Sequence, residues 1–357
     1  MRIISVAGVL VFAGLLFLTF RSGWTPSIKA TNSIAALEDV MIGGVPQSIL
    51  VRGADVDQPV LLWLHGGPGG TMMPVAHVFG RELERRFVVV HWDQRGSGRS
   101  ARSTVPDDSL NLEQFLSDTH ELIEMLRSRF DADRIFLLGH SWGSALGLIT
   151  AQRHPELLHA YIGMGQATNE KRSEELGLEW VRQRARQLGN EQALRELEGL
   201  EPPYLDDPQK IVVQRKWLSR FGGQVHNGRP FLFWEDIDRT WALLALRSPE
   251  YSWFDLLRFL RANARVRWAL FHEFKQVDFM STAPRIDVPV YFLMGRHDYN
   301  MQPTLVEDYY NLLDAPKGKS LIWFDDSAHS PCLEEPVRFG EVMVTRVLAE
   351  TLAAQHP

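Results

Sequence analysis

Ile135-Phe-Leu-Leu-Gly-His-Ser-Trp-Gly-Ser144 is the stretch on which the reading of this chain turns. Apolar residues lead into Gly139-His140-Ser141-Trp142-Gly143, and Ala145, Leu146, Leu148 and Ile149 then recur at helical spacing. The pattern predicts a strand, a tight turn and a helix, with Ser141 at the apex. Such a turn strains the serine backbone and exposes Oγ, and flanking glycines keep Cβ atoms out of the crowded space beside it. The helix N-terminus beyond it favours developing negative charge. A small residue in a glycine-rich turn is the competing reading. The strand before and the helix after favour Ser141 as a nucleophile.

Working outward, strands alternate with helices on both sides of this turn. Residues 60–64 are a continuous apolar run, as expected of a strand buried on both faces, and 87–92 read as the next buried strand. Residues 40–51 read as a hairpin turning at Gly43-Gly44, and Asn111 caps an amphipathic helix carrying Leu112, Phe115, Leu116, Leu122, Ile123 and Leu126. Strand-like runs return at 160–164, 288–294 and 321–324, with helices near 304–313 and from about residue 335. This alternation predicts an α/β fold, a mostly parallel sheet with helices on both faces. Between residues 166 and 281 the strand runs vanish and helix formers dominate. That block holds 18 Lys+Arg, 17 Asp+Glu and six of the eleven tryptophans, so it reads as a nearly neutral helical cap. The domain reading is core at 36–165, cap at 166–281 and core again at 282–357. The tryptophans suggest an apolar roof over a pocket of limited size.

Composition narrows the function classes. A net charge of −6 over 357 residues gives no nucleic-acid surface. The single cysteine, Cys332, excludes an intrachain disulfide. No ligand spacing of the H-E-x-x-H kind occurs, so neither metal nor other cofactor is expected. At the N-terminus, residues 3–20 are 18 uncharged residues between Arg2 and Arg21. They predict an uncleaved single-pass membrane anchor over 1–22, followed by a tether over 23–35. A cleaved signal, leaving a secreted or periplasmic protein, is the alternative; residues 25–30 offer no clean small-x-small site.

A serine hydroxyl needs a base to take its proton, and the base needs an orienting acid. Along such a chain the order is serine, acid, histidine. Asp298 follows the strand at 288–294 and His329 follows the strand at 321–324. Both fall at C-terminal strand ends, where open α/β sheets build sites. Asp325 and Asp326 are alternative acids on the histidine's own loop, while His140 and His297 read as packing. Two N–H donors must hold the oxyanion. Trp142, after the nucleophile, supplies one, and Gly67 of His65-Gly-Gly-Pro-Gly-Gly70 supplies the other.

These stretches, with Asp93-Gln-Arg-Gly-Ser-Gly-Arg-Ser100 and Gly295-Arg-His-Asp298, occur in an order that resembles the proline iminopeptidase branch of the α/β-hydrolases. The resemblance spans residues 40–353 in layout, with its specific motifs in the core. It implies Ser141, Asp298 and His329 as triad, Gly67 and Trp142 as oxyanion donors, and cap carboxylates binding the free amine of an N-terminal proline. The family's W-x-x-W-E-G stretch corresponds to Trp217-Leu-Ser-Arg-Phe-Gly222, which has no glutamate. Glu235, Asp236 and Glu273 are the carboxylates that could serve instead. The expected function is a serine hydrolase cleaving a small-molecule or short-peptide amide or ester. An aminopeptidase stands against a carboxylesterase or lactonase, and a non-catalytic membrane-tethered binding protein is the reading from another class.

Overall fold

The computed structural model describes Gly14 and residues 23–102, 104–205, 207, 209–226, 228, 230–231 and 234–355. Among them, eight strands form one sheet in the order β1-β2-β4-β3-β5-β6-β9-β10. The strands are β1 (Ile34–Ile42), β2 (Val45–Gly53), β3 (Val60–Leu64), β4 (Val88–Trp92), β5 (Ile135–His140), β6 (Leu158–Met164), β9 (Val290–Gly295) and β10 (Lys319–Phe324). A separate two-stranded hairpin, β7 (Pro230–Phe231) and β8 (Trp234–Asp238), completes the numbering. β1 and β2 are antiparallel, β2 meets β4 antiparallel, and the remaining strands run parallel.

Alternation along each central strand explains the continuous apolar runs. Val60, Leu62 and Leu64 pack into one core, while Leu61 and Trp63 pack into another on the opposite face. β5 divides the same way, Ile135 and Leu137 against Phe136 and Leu138. A half-buried strand would show one apolar face only; these show two. Helices α1 (Leu112–Arg129) and α2 (Trp142–Arg153) cover the first face. The C-terminal segment covers the other with Phe339, Met343 and Val347.

Between the adjacent strands β6 and β9 the chain is mainly helical: α3 (Glu170–Gln187), α4 (Lys210–Arg220) and α5 (Trp253–Lys275) are its long elements. The β7–β8 hairpin lies in the same block, where the sequence pattern shows no strand. The block has an apolar core of its own around Leu178, Val181, Tyr204, Trp217 and Leu218. α5 ties the two together, with Phe271 in that core and Val266, Leu270 and Phe274 in the sheet's.

The membrane anchor, and the single-pass localisation built on it, are corrected. Among the described residues no helix is long and apolar enough to cross a membrane. Residues 3–20, apart from Gly14, lie outside the described residues.

Candidate active site

The sheet reverses its strand order at β3, which lies between β4 and β5. In open α/β sheets that reversal opens a crevice at the carboxyl ends of the strands. Ser141 stands there, between β5 and α2, with φ 56° and ψ −120°, a left-handed conformation costly for a residue with a Cβ. Its surroundings hold it so. The Ser141 N–H donates to the Met164 carbonyl at 3.0 Å, and the Ser141 carbonyl accepts from the Ser144 N–H at 2.8 Å and Oγ at 2.6 Å. Both glycines of the motif are sterically required. A Cβ on Gly139 would lie 2.1 Å from the Gly143 carbonyl oxygen, and one on Gly143 would lie 2.2 Å from that of Leu64.

Beside Ser141 runs the loop that leaves β3. A Cβ on Gly66 would lie 3.0 Å from Ser141 Cβ. His65 fixes this loop: its Nδ1–H donates to the Gly66 carbonyl at 2.8 Å, and Nε2 accepts the Gln94 N–H at 3.1 Å. Burial lowers the His65 pKa to about 4, so the ring stays neutral and can accept that bond. Gln94 closes the arrangement by donating to the His65 carbonyl and accepting from the Trp142 indole, both at 3.1 Å. Both candidate oxyanion donors thus sit on segments braced by one glutamine. The Trp142 N–H belongs to the first turn of α2, where no intrahelical acceptor exists.

Asp298 and His329 come together across β9 and β10. The His329 Nδ1–H donates to Asp298 Oδ2 at 2.8 Å, while Oδ1 accepts from the Asn300 and Met301 N–H groups, each at 2.9 Å. Burial by itself would raise the Asp298 pKa. The neighbouring His329 and the two backbone donors outweigh it and hold the carboxyl below its usual range. Gly295 makes the approach possible, since a Cβ there would lie 2.0 Å from the Ala328 carbonyl oxygen. Asp325 and Asp326 are exposed, and Asp325 pairs with Arg296 at 3.1 Å. His140, read as packing, donates from Nε2 to the His329 carbonyl at 2.9 Å. Burial first, and then the neighbouring His329, lower its pKa to about 3.

Ser141 and His329 line one cavity of about 700 Å³ together with Gly66 and Gly67. The helical block supplies the opposite wall, including Trp241, Phe259, Phe271, Arg215, Arg267 and Lys275. This differs from a roof of tryptophan. Trp217 packs inside the block's own core, Trp253 is exposed, and Trp180 stacks on Tyr299 at 4.1 Å. Lys275 donates to the buried Glu170 at 2.9 Å and also bonds Glu174, which Arg215 pairs with from the other side.

The expected cap carboxylates are distributed differently. Glu273 accepts the Leu112 N–H at 2.6 Å, serving the first turn of α1, and is absent from the cavity wall. Glu235 and Asp236 belong to β8, and their side chains lie outside the described residues. Among the described residues, the carboxylates on the wall are Asp326 and Glu334. Sequence reasoning missed Glu334, Gln94 and the Glu170–Lys275–Glu174–Arg215 cluster. For Glu334 the signal was faint, a glutamate five residues beyond His329; for the cluster, spread over 105 residues, there was none.

A family model described as the alpha/beta hydrolase fold matches residues 59–228. The chain is 32% identical over 320 residues to the probable aminopeptidase YbaC of Bacillus subtilis, covering 88% of this chain and 97% of that one. It is 24% identical over 293 residues to a proline iminopeptidase of Saccharolobus solfataricus, covering 79% and 83% of the two chains. Among solved structures, a proline iminopeptidase-related protein of Thermus thermophilus superposes with a TM-score of 0.58 at 23% identity, over 90% of this chain and 98% of that one.

Proposed function

The chain belongs to the proline iminopeptidase branch of the α/β-hydrolase family and is a hydrolase; from that premise we propose that it cleaves small amide or ester substrates through an acyl-enzyme on Ser141. The observation that carries the proposal is the buried Asp298–His329 hydrogen bond at 2.8 Å, on the wall of the cavity that also holds Ser141. In this reading Asp298 keeps the His329 Nδ1 protonated, leaving Nε2 free to take the Ser141 proton. Oγ attacks the substrate carbonyl, and the Gly67 and Trp142 N–H groups hold the oxyanion. His329 then protonates the leaving group, and water releases the acid by the reverse sequence. The helical block between β6 and β9 serves as the cap, and a 700 Å³ cavity suits a short peptide and excludes folded protein.

The relatives' names support an aminopeptidase most like a proline iminopeptidase. One observation favours a carboxylesterase or lactonase instead. The described residues that the helical block gives to the wall include no carboxylate, Arg215 and Lys275 there are already paired with Glu174 and Glu170, and Glu273 is engaged with α1. A panel of prolyl and other aminoacyl arylamides against aryl esters of varied chain length separates the two. The aminopeptidase reading predicts turnover of the arylamides; turnover of esters alone would establish the second reading. No turnover of either class, with Ser141 unlabelled by a phosphonate, would remove both.

A further inference from the structure

Peptide groups on both sides of His329 end on one side chain. The Ala328 N–H donates to Glu334 Oε1 at 3.1 Å and Oε2 at 3.2 Å, and the Ser330 N–H donates to Oε1 at 3.1 Å. The same carboxylate reaches across to the helical block, where Oε2 accepts the His226 N–H at 2.6 Å. His226 belongs to a short strap that follows α4. That strap is bound to the loops of both Asp298 and His329. Its Gly223 carbonyl accepts the Tyr299 N–H at 2.9 Å, and its Gln224 carbonyl accepts the His329 N–H at 3.1 Å. The His226 ring stacks on that of His297, centroid to centroid at 3.9 Å. Gln224, Val225, His226 and Glu334 all face the cavity.

The geometry points to Glu334 as a positioning residue that locks the His329 loop and the cap strap into one unit, so that the general base is held in register with the roof over the substrate. This rests on the assignment of Ser141 and His329 made above. A carboxylate suits the task because its two acceptor-only oxygens can serve three N–H groups at once, whereas an amide offers one acceptor and turns donors toward donors. With the His140 bond to the His329 carbonyl, the backbone on either side of the base is fixed, and its ring is left to Asp298. Burial raises the Glu334 pKa to about 7 against the pull of its three backbone donors, with the nearby charge of Asp298 adding a smaller rise. A buried carboxylate is expensive unless the bonds it accepts are needed. The adjacent Glu335 gives an internal control. It braces the same loop through the Asp326 N–H at 3.1 Å and Ser327 Oγ at 2.7 Å, one step farther from His329.

The test compares E334Q and E335Q, each alone and in an H329A background, by kcat, KM and melting temperature. Misplacing a catalytic group by about an ångström can cost on the order of 10²-fold. E334Q should therefore lose roughly that much kcat with KM within about threefold, while E335Q keeps kcat. Because Glu334 acts through His329, E334Q should cost less than about threefold more once His329 is alanine, a non-additivity that a merely structural role would not produce. If E334Q fails to fold, E334D carries the same comparison with a partial loss expected. Unchanged kcat in E334Q, or equal losses in both backgrounds, would overturn the inference. Full activity in H329A would instead overturn the assignment beneath it.

Discussion

The sheet and the helical block hold their polar groups in place by different means. At the strand ends, backbone sterics decide. Gly139, Gly143 and Gly295 each stand where a single added carbon would collide with a carbonyl oxygen at 2.2 Å or less. In the block, side-chain charges decide. Lys275 sits between Glu170 and Glu174, Arg215 closes on Glu174, and Arg102 from the core binds Asp255 at 2.7 Å. Steric constraint leaves a local signature in sequence; ion pairing across a hundred residues does not. The turns at the strand ends are therefore legible as motifs, and the ion pairs of the block only as a three-dimensional arrangement of common residues.

Breaking the sheet side should have the largest effects. Ser141→Ala is expected to lose on the order of 10⁶-fold in kcat, with His329→Ala similar. Asp298→Asn is expected to lose roughly 10⁴-fold, because it disturbs tautomer and orientation without removing the base. Steady-state kinetics on a small aryl ester would check all three. Were Asp298→Asn harmless and Asp325→Asn crippling, the acid would have been assigned to the wrong loop.

Gly295→Ala comes next. Its Cβ would lie 2.0 Å from the Ala328 carbonyl, so either β9 or the His329 loop must move. Displacement of that size should lower kcat on the order of 10²-fold while the sheet still forms. A variant with normal kcat would show that the approach of β9 to that loop is not what aligns the pair.

On the block side the same-sized chemical change should alter stability before turnover. Lys275→Met would leave Glu170 and Glu174, both buried, short of a counter-charge. Breaking a buried ion pair costs about 3–5 kcal/mol. Urea unfolding should show that loss while kcat on a small ester stays within about tenfold. A collapse of kcat at unchanged stability would mean that Lys275 touches the reacting groups.

How far the sequence could be read follows the same division. The alternation of strands and helices, the turn at Ser141 and the pairing of Asp298 with His329 are legible in short patterns, the serine-acid-histidine order and two strand ends, whereas the strand order of the sheet is not. The choice of Asp298 over Asp325 and Asp326 was open in sequence; exposure and the Arg296 pair separate them in space. The tryptophan-rich segment suggests an aromatic roof, and Trp241, Phe259 and Phe271 do line the cavity, yet Trp217 serves an internal core, because composition cannot tell which face of a helix meets a cavity. Glu273 reads in sequence as a carboxylate that could serve the substrate, but it satisfies the first turn of α1, whose position relative to α5 no local pattern encodes. The N-terminal run shows the same limit, since hydrophobicity over 18 residues sits at the edge of what spanning requires.

The smallest expected effect sharpens that point. Glu273→Gln should cost about 1 kcal/mol, the usual worth of a helix-start acceptor, and leave the ratio of arylamide to ester kcat/KM unchanged. Glu235→Gln and Asp236→Asn, compared on the same two substrate classes, test the amine-binding role directly. A selective loss on aminoacyl arylamides in either would favour the aminopeptidase. A selective loss in Glu273→Gln would contradict the position given to that residue here.

In the proposed mechanism Ser141 is the nucleophile and His329 its base. Intact-mass analysis after treatment with a fluorophosphonate, followed by peptide mapping, tests it most directly. One adduct on Ser141 is expected in the wild-type chain, with labelling abolished in Ser141→Ala and slowed at least about 10²-fold in His329→Ala. An adduct on another residue, or undiminished labelling in both variants, would contradict it.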